Sequence, residues 1–89
     1  MTNIFPTSTS LETAVIGILK ESGRPLKSKE IDELVIKKLE ISKDLIDVIH
    51  SGSRTEIAYR LAWVRTKAKK KGLLERLPTN QWRLINSEN

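Results

Sequence analysis

The chain contains no cysteine. Disulfides, thiolate nucleophiles and cysteine-based zinc sites are therefore excluded. A cysteine-free chain also suits a reducing, cytoplasmic setting. His50 is the single histidine, so no histidine pair and no HExxH zinc motif can be assembled. Any serine–histidine–acid triad would have to use that one residue, and its place beside Ser51-Gly52 reads as a surface or cap position. Neither a GxxxxGK[ST] loop nor a GxGxxG loop occurs. No apolar run approaches the roughly 20 residues needed to cross a bilayer. The opening MTNIFPTSTS has neither the positive stretch nor the long apolar core of a secretory signal. The chain is thus expected to be a soluble cytoplasmic protein with no membrane contact. Aromatic residues make up only 4% of the chain: one tyrosine, two tryptophans and one phenylalanine. That leaves little stacking surface for a single-stranded nucleic-acid binder.

What is present is charge, unevenly placed. The net charge is +5 and the isoelectric point about 9.8. Residues 1–49 carry a net −1 and residues 50–89 a net +6. Basic character confined to one half suggests a polyanion-facing surface built by one part of the fold. At 89 residues the chain suffices for one domain with a thin core.

Local patterns give the order of elements. Residues 1–9 read as a flexible leader, residues 10–86 as the domain and 87–89 as a tail. Ser10 is placed to cap a first helix whose apolar face is Leu11, Ala14, Val15, Ile18 and Leu19. Gly23 and Pro25 stop it. Leu26-Lys27 is a short extended piece, and Ser28 is placed to cap a second helix with Ile31, Leu34, Val35 and Leu39 as its buried stripe. Between Ile41 and Gly52, the segment Asp44 to Ile49 has the pattern of one or two helical turns. Ser53-Arg54-Thr55-Glu56 has the form of a capping box opening a long helix that Gly72 ends. Leu73 to Leu77 and Gln81 to Ile85 alternate as strands around the turn Pro78-Thr79-Asn80. The short strand at Leu26 is positioned to join this hairpin. The expected class is mainly α with a small β-hairpin: a winged helix-turn-helix of three helices plus a C-terminal β-wing.

The helix from Ser53 to Lys71 is the expected carrier of function. With about 100° per residue, Ile57, Leu61, Val64 and Ala68 form one narrow core stripe. Arg60, Trp63, Lys67 and Lys71 fall on one flank, and Arg54, Arg65 and Lys69 on the other. Thr55, Tyr59, Thr66 and Lys70 lie opposite the core. Cations mixed with hydroxyl groups suit a helix in the major groove of duplex DNA, where the first turns reach deepest. Arg54, Thr55, Tyr59 and Arg60 are the expected base readers, and the run Lys69 to Lys71 the phosphate neutralisers. Trp63 has two readings, a DNA contact or a residue packed beside the core against the hairpin. On the wing, Arg76, Asn80, Gln81 and Arg83 are candidate contacts to the backbone or minor groove. Trp82 is expected to pack its ring on the helices. The acids Glu30, Asp32 and Glu33 near a helix start are explained by the helix dipole and solvation. No catalytic residue, metal or cofactor is expected.

From Ser53 onward the residues resemble the N-terminal domain of Mrr-type restriction proteins. The likeness rests on Arg54-Thr55-Glu56, on Tyr59-Arg60-Leu61-Ala62-Trp63-Val64-Arg65-Thr66, on Lys70-Lys71-Gly72-Leu73-Leu74-Glu75 and on Trp82-Arg83-Leu84. Gly23-Arg24-Pro25-Leu26 and Glu30-Ile31 are similar to that family's opening. The resemblance covers roughly residues 10–86. It implies a winged-helix module that binds duplex DNA, commonly joined to a restriction-type nuclease domain that cuts modified DNA. One departure is the pair Asn80-Gln81 where the family has a glycine before the closing tryptophan strand. The reading that follows is a DNA-docking or target-recognition domain of a restriction-type nuclease, either joined to a nuclease domain in a longer chain or standing alone. The rival readings are a protein-interaction or homodimerisation module, with Ile41, Leu45, Ile46, Val48 and Ile49 as its apolar segment, and a transcriptional regulator.

Overall fold

A computed structural model describes residues 5–52 and 54–85, with the side chains of His50, Ser51 and Arg54 left aside. The first helix, α1 (Ser8–Ser22), begins two residues before the expected cap. Thr7, directly after Pro6, is extended at φ −69°, ψ 162°, which aims its hydroxyl at the open amides of the first turn. Its Oγ1 accepts the Ser10 amide at 3.1 Å. Ser10 therefore sits inside the helix, and its hydroxyl accepts from that of Thr7. At the far end Gly23 takes φ +65° and donates its amide to Leu19. The five apolar positions expected to face inward are all buried.

Strand β1 (Leu26–Lys27) leads into α2 (Ser28–Lys38). Here too the cap moves. Lys27 is the cap position, and Glu30 Oε1 reaches back to accept the Lys27 amide at 2.9 Å. Ser28 does not cap the helix. Its Oγ instead accepts the indole Nε1–H of Trp82 at 2.9 Å. Ile31 and Val35 are fully buried, and Leu39 is partly buried. Leu34 departs from its expected place in the stripe and is 41% exposed, because one step of the helix from Val35 carries it off a face only two residues wide.

The segment after α2 forms a single turn, α3 (Lys43–Ile46), capped by Ser42, and a small hairpin of β2 (Ile49–Ser51) and β3 (Arg54–Thr55). The hairpin is a departure from the sequence pattern. Ile49 lies in it rather than in a helical turn, and the Glu56 amide closes its base on the Val48 carbonyl at 2.8 Å.

The long helix, α4 (Glu56–Lys70), starts later than expected. Arg54 and Thr55 are strand residues, and Thr55 is the cap, its Oγ1 accepting the Ala58 amide at 3.2 Å. Ser53 lies outside the described residues. Gly72, at φ +80°, turns the chain after α4 into the closing hairpin of β4 (Leu74–Arg76) and β5 (Gln81–Leu84).

The sheet order is β1-β5-β4, all antiparallel, so the strand at Leu26 joins the hairpin as anticipated. Leu26 pairs with Trp82, and Trp82 with Arg76. One face of the sheet puts Leu26, Leu74 and Trp82 against the helices. These join Leu11, Val15, Ile31, Val35, Ile57 and Leu61 in one core. The architecture is mainly α with a small three-stranded sheet, a winged-helix-like fold in which α4 runs straight into the wing. Among the described residues no helix is long and apolar enough to cross a membrane.

Candidate nucleic-acid interface

The position of α4 follows from its inner side. Ile57, Leu61, Val64 and Ala68 are buried as the wheel requires. A fifth buried residue is a correction. The wheel puts Arg65 on the exposed basic flank, yet only 7% of it is exposed. At about 80° from Ile57 that flank faces α2 rather than water. The Arg65 guanidinium donates through Nη1 to the Asp32 carboxylate of α2. Its Nε has no hydrogen-bond partner among the described residues, and its Cζ lies 5.9 Å from the Trp82 ring centre. A charged pair thus ties the candidate interface helix to α2. An acid one residue from a core isoleucine, together with an arginine four residues from a core leucine, is the sequence signal for this pair.

The outer side carries Tyr59, Ala62, Trp63, Thr66, Lys67 and Lys70. Lys67, Lys69 and Lys70 are exposed and form no ion pair with a described residue. Trp63 is 55% exposed and Tyr59 37%. Trp63 is therefore not part of the core, and the other residues that line its hollow all belong to α4. Tyr59, Ala62, Trp63 and Thr66 line a shallow open hollow of about 250 Å³ between the cations.

The other expected contacts are more restrained. Arg60 Nε donates to Glu56 Oε2 at 2.7 Å, and its guanidinium lies 4.4 Å from the Phe5 ring centre. Lys71 Nζ donates to Glu12 of α1 at 2.9 Å. Thr55 commits its oxygen to the cap. The Arg54 side chain lies outside the described groups, although its backbone belongs to β3. Ion pairs of this half-exposed kind contribute only about 0–1 kcal/mol, so a phosphate can take the carboxylate's place at Arg60 and Lys71.

On the wing, Arg76, Asn80 and Gln81 meet at the turn. Arg76 Nη2 donates to Asn80 Oδ1 at 3.0 Å, and Arg76 Cζ lies 5.8 Å from the Trp82 ring centre. Thr79 Oγ1 donates to Gln81 Oε1 at 2.8 Å. Asn80 has φ +64°, in the left-handed region where glycine is usual and asparagine is the best-tolerated replacement. Asn80 therefore supports the left-handed backbone while adding an amide. Arg83 stands apart. It alternates with buried Trp82, so it points to the outer face of the sheet, where it donates to Glu75 at 3.1 Å. Trp82 itself packs on the helices, as anticipated, with 6% exposure.

The apolar segment offered as a protein-interaction surface is largely consumed by the fold. Ile41 and Leu45 are buried and Ile46 is partly buried, leaving Val48 and Ile49 exposed. Two acids of α2 serve the fold, since Glu30 holds a cap amide and Asp32 holds Arg65. Among the described residues no group of three or more histidine, cysteine, aspartate or glutamate side chains comes together as a metal site.

Comparison with known protein families matches residues 9–87 to the family model of the Mrr N-terminal domain. No curated protein and no solved structure matches the chain.

Proposed function

The chain belongs to the Mrr N-terminal domain family, and from that premise we propose that it is the duplex-DNA docking module of an Mrr-type restriction system. The observation that carries this reading is the outer face of α4, where Lys67 and Lys70 stand exposed and without a carboxylate partner among the described residues, beside a tyrosine, a tryptophan and a threonine. Away from this face several cations are paired: Lys38 with Glu21, Lys43 with Asp47, Lys71 with Glu12 and Arg83 with Glu75. Cations left open together on one helix face are the groups a phosphate backbone attracts, and the release of condensed counterions supplies affinity. In this reading α4 enters the major groove. Lys67 and Lys70 hold phosphates, and Arg60 and Lys71 exchange carboxylate for phosphate on contact. Tyr59 and Thr66 face base edges. Arg76, Asn80 and Gln81 at the wing turn reach the neighbouring backbone or minor groove. Arg83 is the weakest member of the set, since it faces away from the helices. The protein-interaction reading has less support, because the segment that suggested it is mostly buried.

Chemical-shift mapping with a 20-base-pair duplex tests the proposal. Amides of residues 56–70 and of the 77–81 turn are expected to shift together. Shifts confined to α1 and α2 would place the interface elsewhere, and no shifts at low salt would remove it.

A further inference from the structure

The middle of the α4 face is apolar, which a pure phosphate-binding surface does not need. Trp63 leaves 55% of its surface in water in a domain that buries its other tryptophan almost completely. Ala62 and Thr66 border it, and Tyr59 closes the hollow one turn earlier. These positions are spaced i, i+3, i+4 and i+7, so they form one stripe along the helix. Lys67 borders the stripe on the Trp63 side and Lys69 on the Ala62 side, and Lys70 continues it one turn past Thr66. A concave apolar strip set between cations matches a ligand that is apolar in the middle and anionic at its edges. The major groove of DNA offers one such group: the C5 methyl of thymine, which projects between two phosphate backbones and is read by apolar side chains.

We propose that the Tyr59–Ala62–Trp63–Thr66 hollow is a thymine-methyl reader, with Trp63 as the specificity-determining residue. The inference rests on the docking of α4 in the major groove. It adds that the outer face distinguishes bases by methyl contact, where the sequence pattern assigns base reading to the first two turns through Arg54, Thr55, Tyr59 and Arg60. Thr55 is spent on the cap and Arg60 is held by Glu56, which leaves Tyr59 as the member of that set in the hollow and extends the reading position from it toward Thr66. Complementarity of charge selects the occupant. A second copy of this chain would bring the same lysines face to face.

The test compares a 24-base-pair alternating dA–dT duplex with the same duplex carrying deoxyuridine in place of thymidine. Phosphates, minor-groove pattern and length are unchanged, and only the methyl groups are removed. Burying one methyl corresponds to about a fourfold difference in affinity. The wild-type protein is expected to bind the thymine duplex about fourfold more tightly at equal salt. Trp63→Ala, checked for retained helix by circular dichroism, is expected to bring that ratio close to one. Lys67→Ala is expected to weaken both duplexes and keep the ratio. Equal binding of the two duplexes by the wild type overturns the methyl reader while leaving duplex docking intact. A preference that survives Trp63→Ala also overturns it. Failure to bind either duplex at low salt overturns the docking reading and this inference together. Sedimentation of the free protein gives a further arm: a dimer that Trp63→Ala dissociates makes the second copy the occupant and overturns the assignment.

Discussion

Replacing Asp32 with alanine removes the carboxylate that meets Arg65. The guanidinium is then left on an 8% exposed side chain, with an Nε already lacking a partner among the described residues and its counter-charge gone. Breaking a buried ion pair from one side typically costs about 3–5 kcal/mol. Asp32 is 20% exposed, so water can reach part of the vacated space, which lowers the expected cost to about 2–3 kcal/mol. A domain of this size has a net stability of about 5–10 kcal/mol. At roughly 4–8 °C for each kcal/mol, Asp32→Ala should lower the melting temperature by about 10–20 °C. Thermal unfolding followed by circular dichroism at 222 nm reads this directly. The companion variant carries Arg65→Met as well. It removes the stranded charge and keeps an unbranched apolar side chain against Trp82, so most of the lost stability should return. A melting temperature of Asp32→Ala within about 4 °C of the parent would refute the pairing argument. So would a double variant no more stable than the single one.

Three further outcomes are expected. Thr55→Ala should cost about 1 kcal/mol through loss of the α4 cap, seen as a fall of roughly 4–8 °C in the melting temperature, while Thr55→Ser stays near the parent. Ser28→Ala leaves the buried Trp82 indole N–H without its acceptor and should cost about 1–3 kcal/mol in urea unfolding. In a Trp82→Phe background the same change should cost little, because the donor has gone; an equal cost in both backgrounds would show that Ser28 acts by another route. Leu61→Ala, at a side chain with no exposed surface, should cost about 2–5 kcal/mol in the same urea assay.

The parts of the fold legible in the sequence are those where one local pattern decides. The α1 stripe from Leu11 to Leu19, the α4 stripe from Ile57 to Ala68, the glycine stops and the alternating wing strands each follow from periodicity or backbone freedom alone. The place of Trp82 is legible too, since a large ring on a thin domain has to cover its core. Caps are less legible. Thr7, Lys27 and Thr55 lie at or near the starts of α1, α2 and α4, where the pattern points to Ser10, Ser28 and Ser53. Several hydroxyl residues stand near the starts of α1 and α4, where the choice depends on which one is extended, whereas at α2 the cap position is Lys27, its amide held by Glu30. The β2–β3 hairpin escapes the pattern because Ile49 and Thr55 pair across a break that reads as a loop, and two-residue strands leave almost no periodic trace.

The candidate site shows the same division. Lys67, Lys70 and Tyr59 are legible as an outward face because the helical wheel alone places them. Arg65 is not, because its burial depends on where α2 crosses α4, and a wheel for one helix contains no neighbour. Arg60 and Lys71 are legible as cations but not as partners of Glu56 and Glu12. The latter pairing joins residues 59 positions apart in the chain. Asn80 is the converse case. It departs from the family's glycine, yet it takes the left-handed backbone that glycine would supply.

The central claim is that the outer face of α4 holds the phosphates of duplex DNA through cations that the described fold leaves open. The most direct measurement is the salt dependence of binding to a fluorescein-labelled 20-base-pair duplex, read by anisotropy for the parent and for Lys67→Ala/Lys70→Ala. The account predicts that the logarithm of the association constant falls linearly with the logarithm of salt concentration, with a slope of about −0.9 for each phosphate neutralised. The double variant should then show a slope shallower by about 2. Binding that ignores salt, or a double variant with the parent's slope, would contradict it.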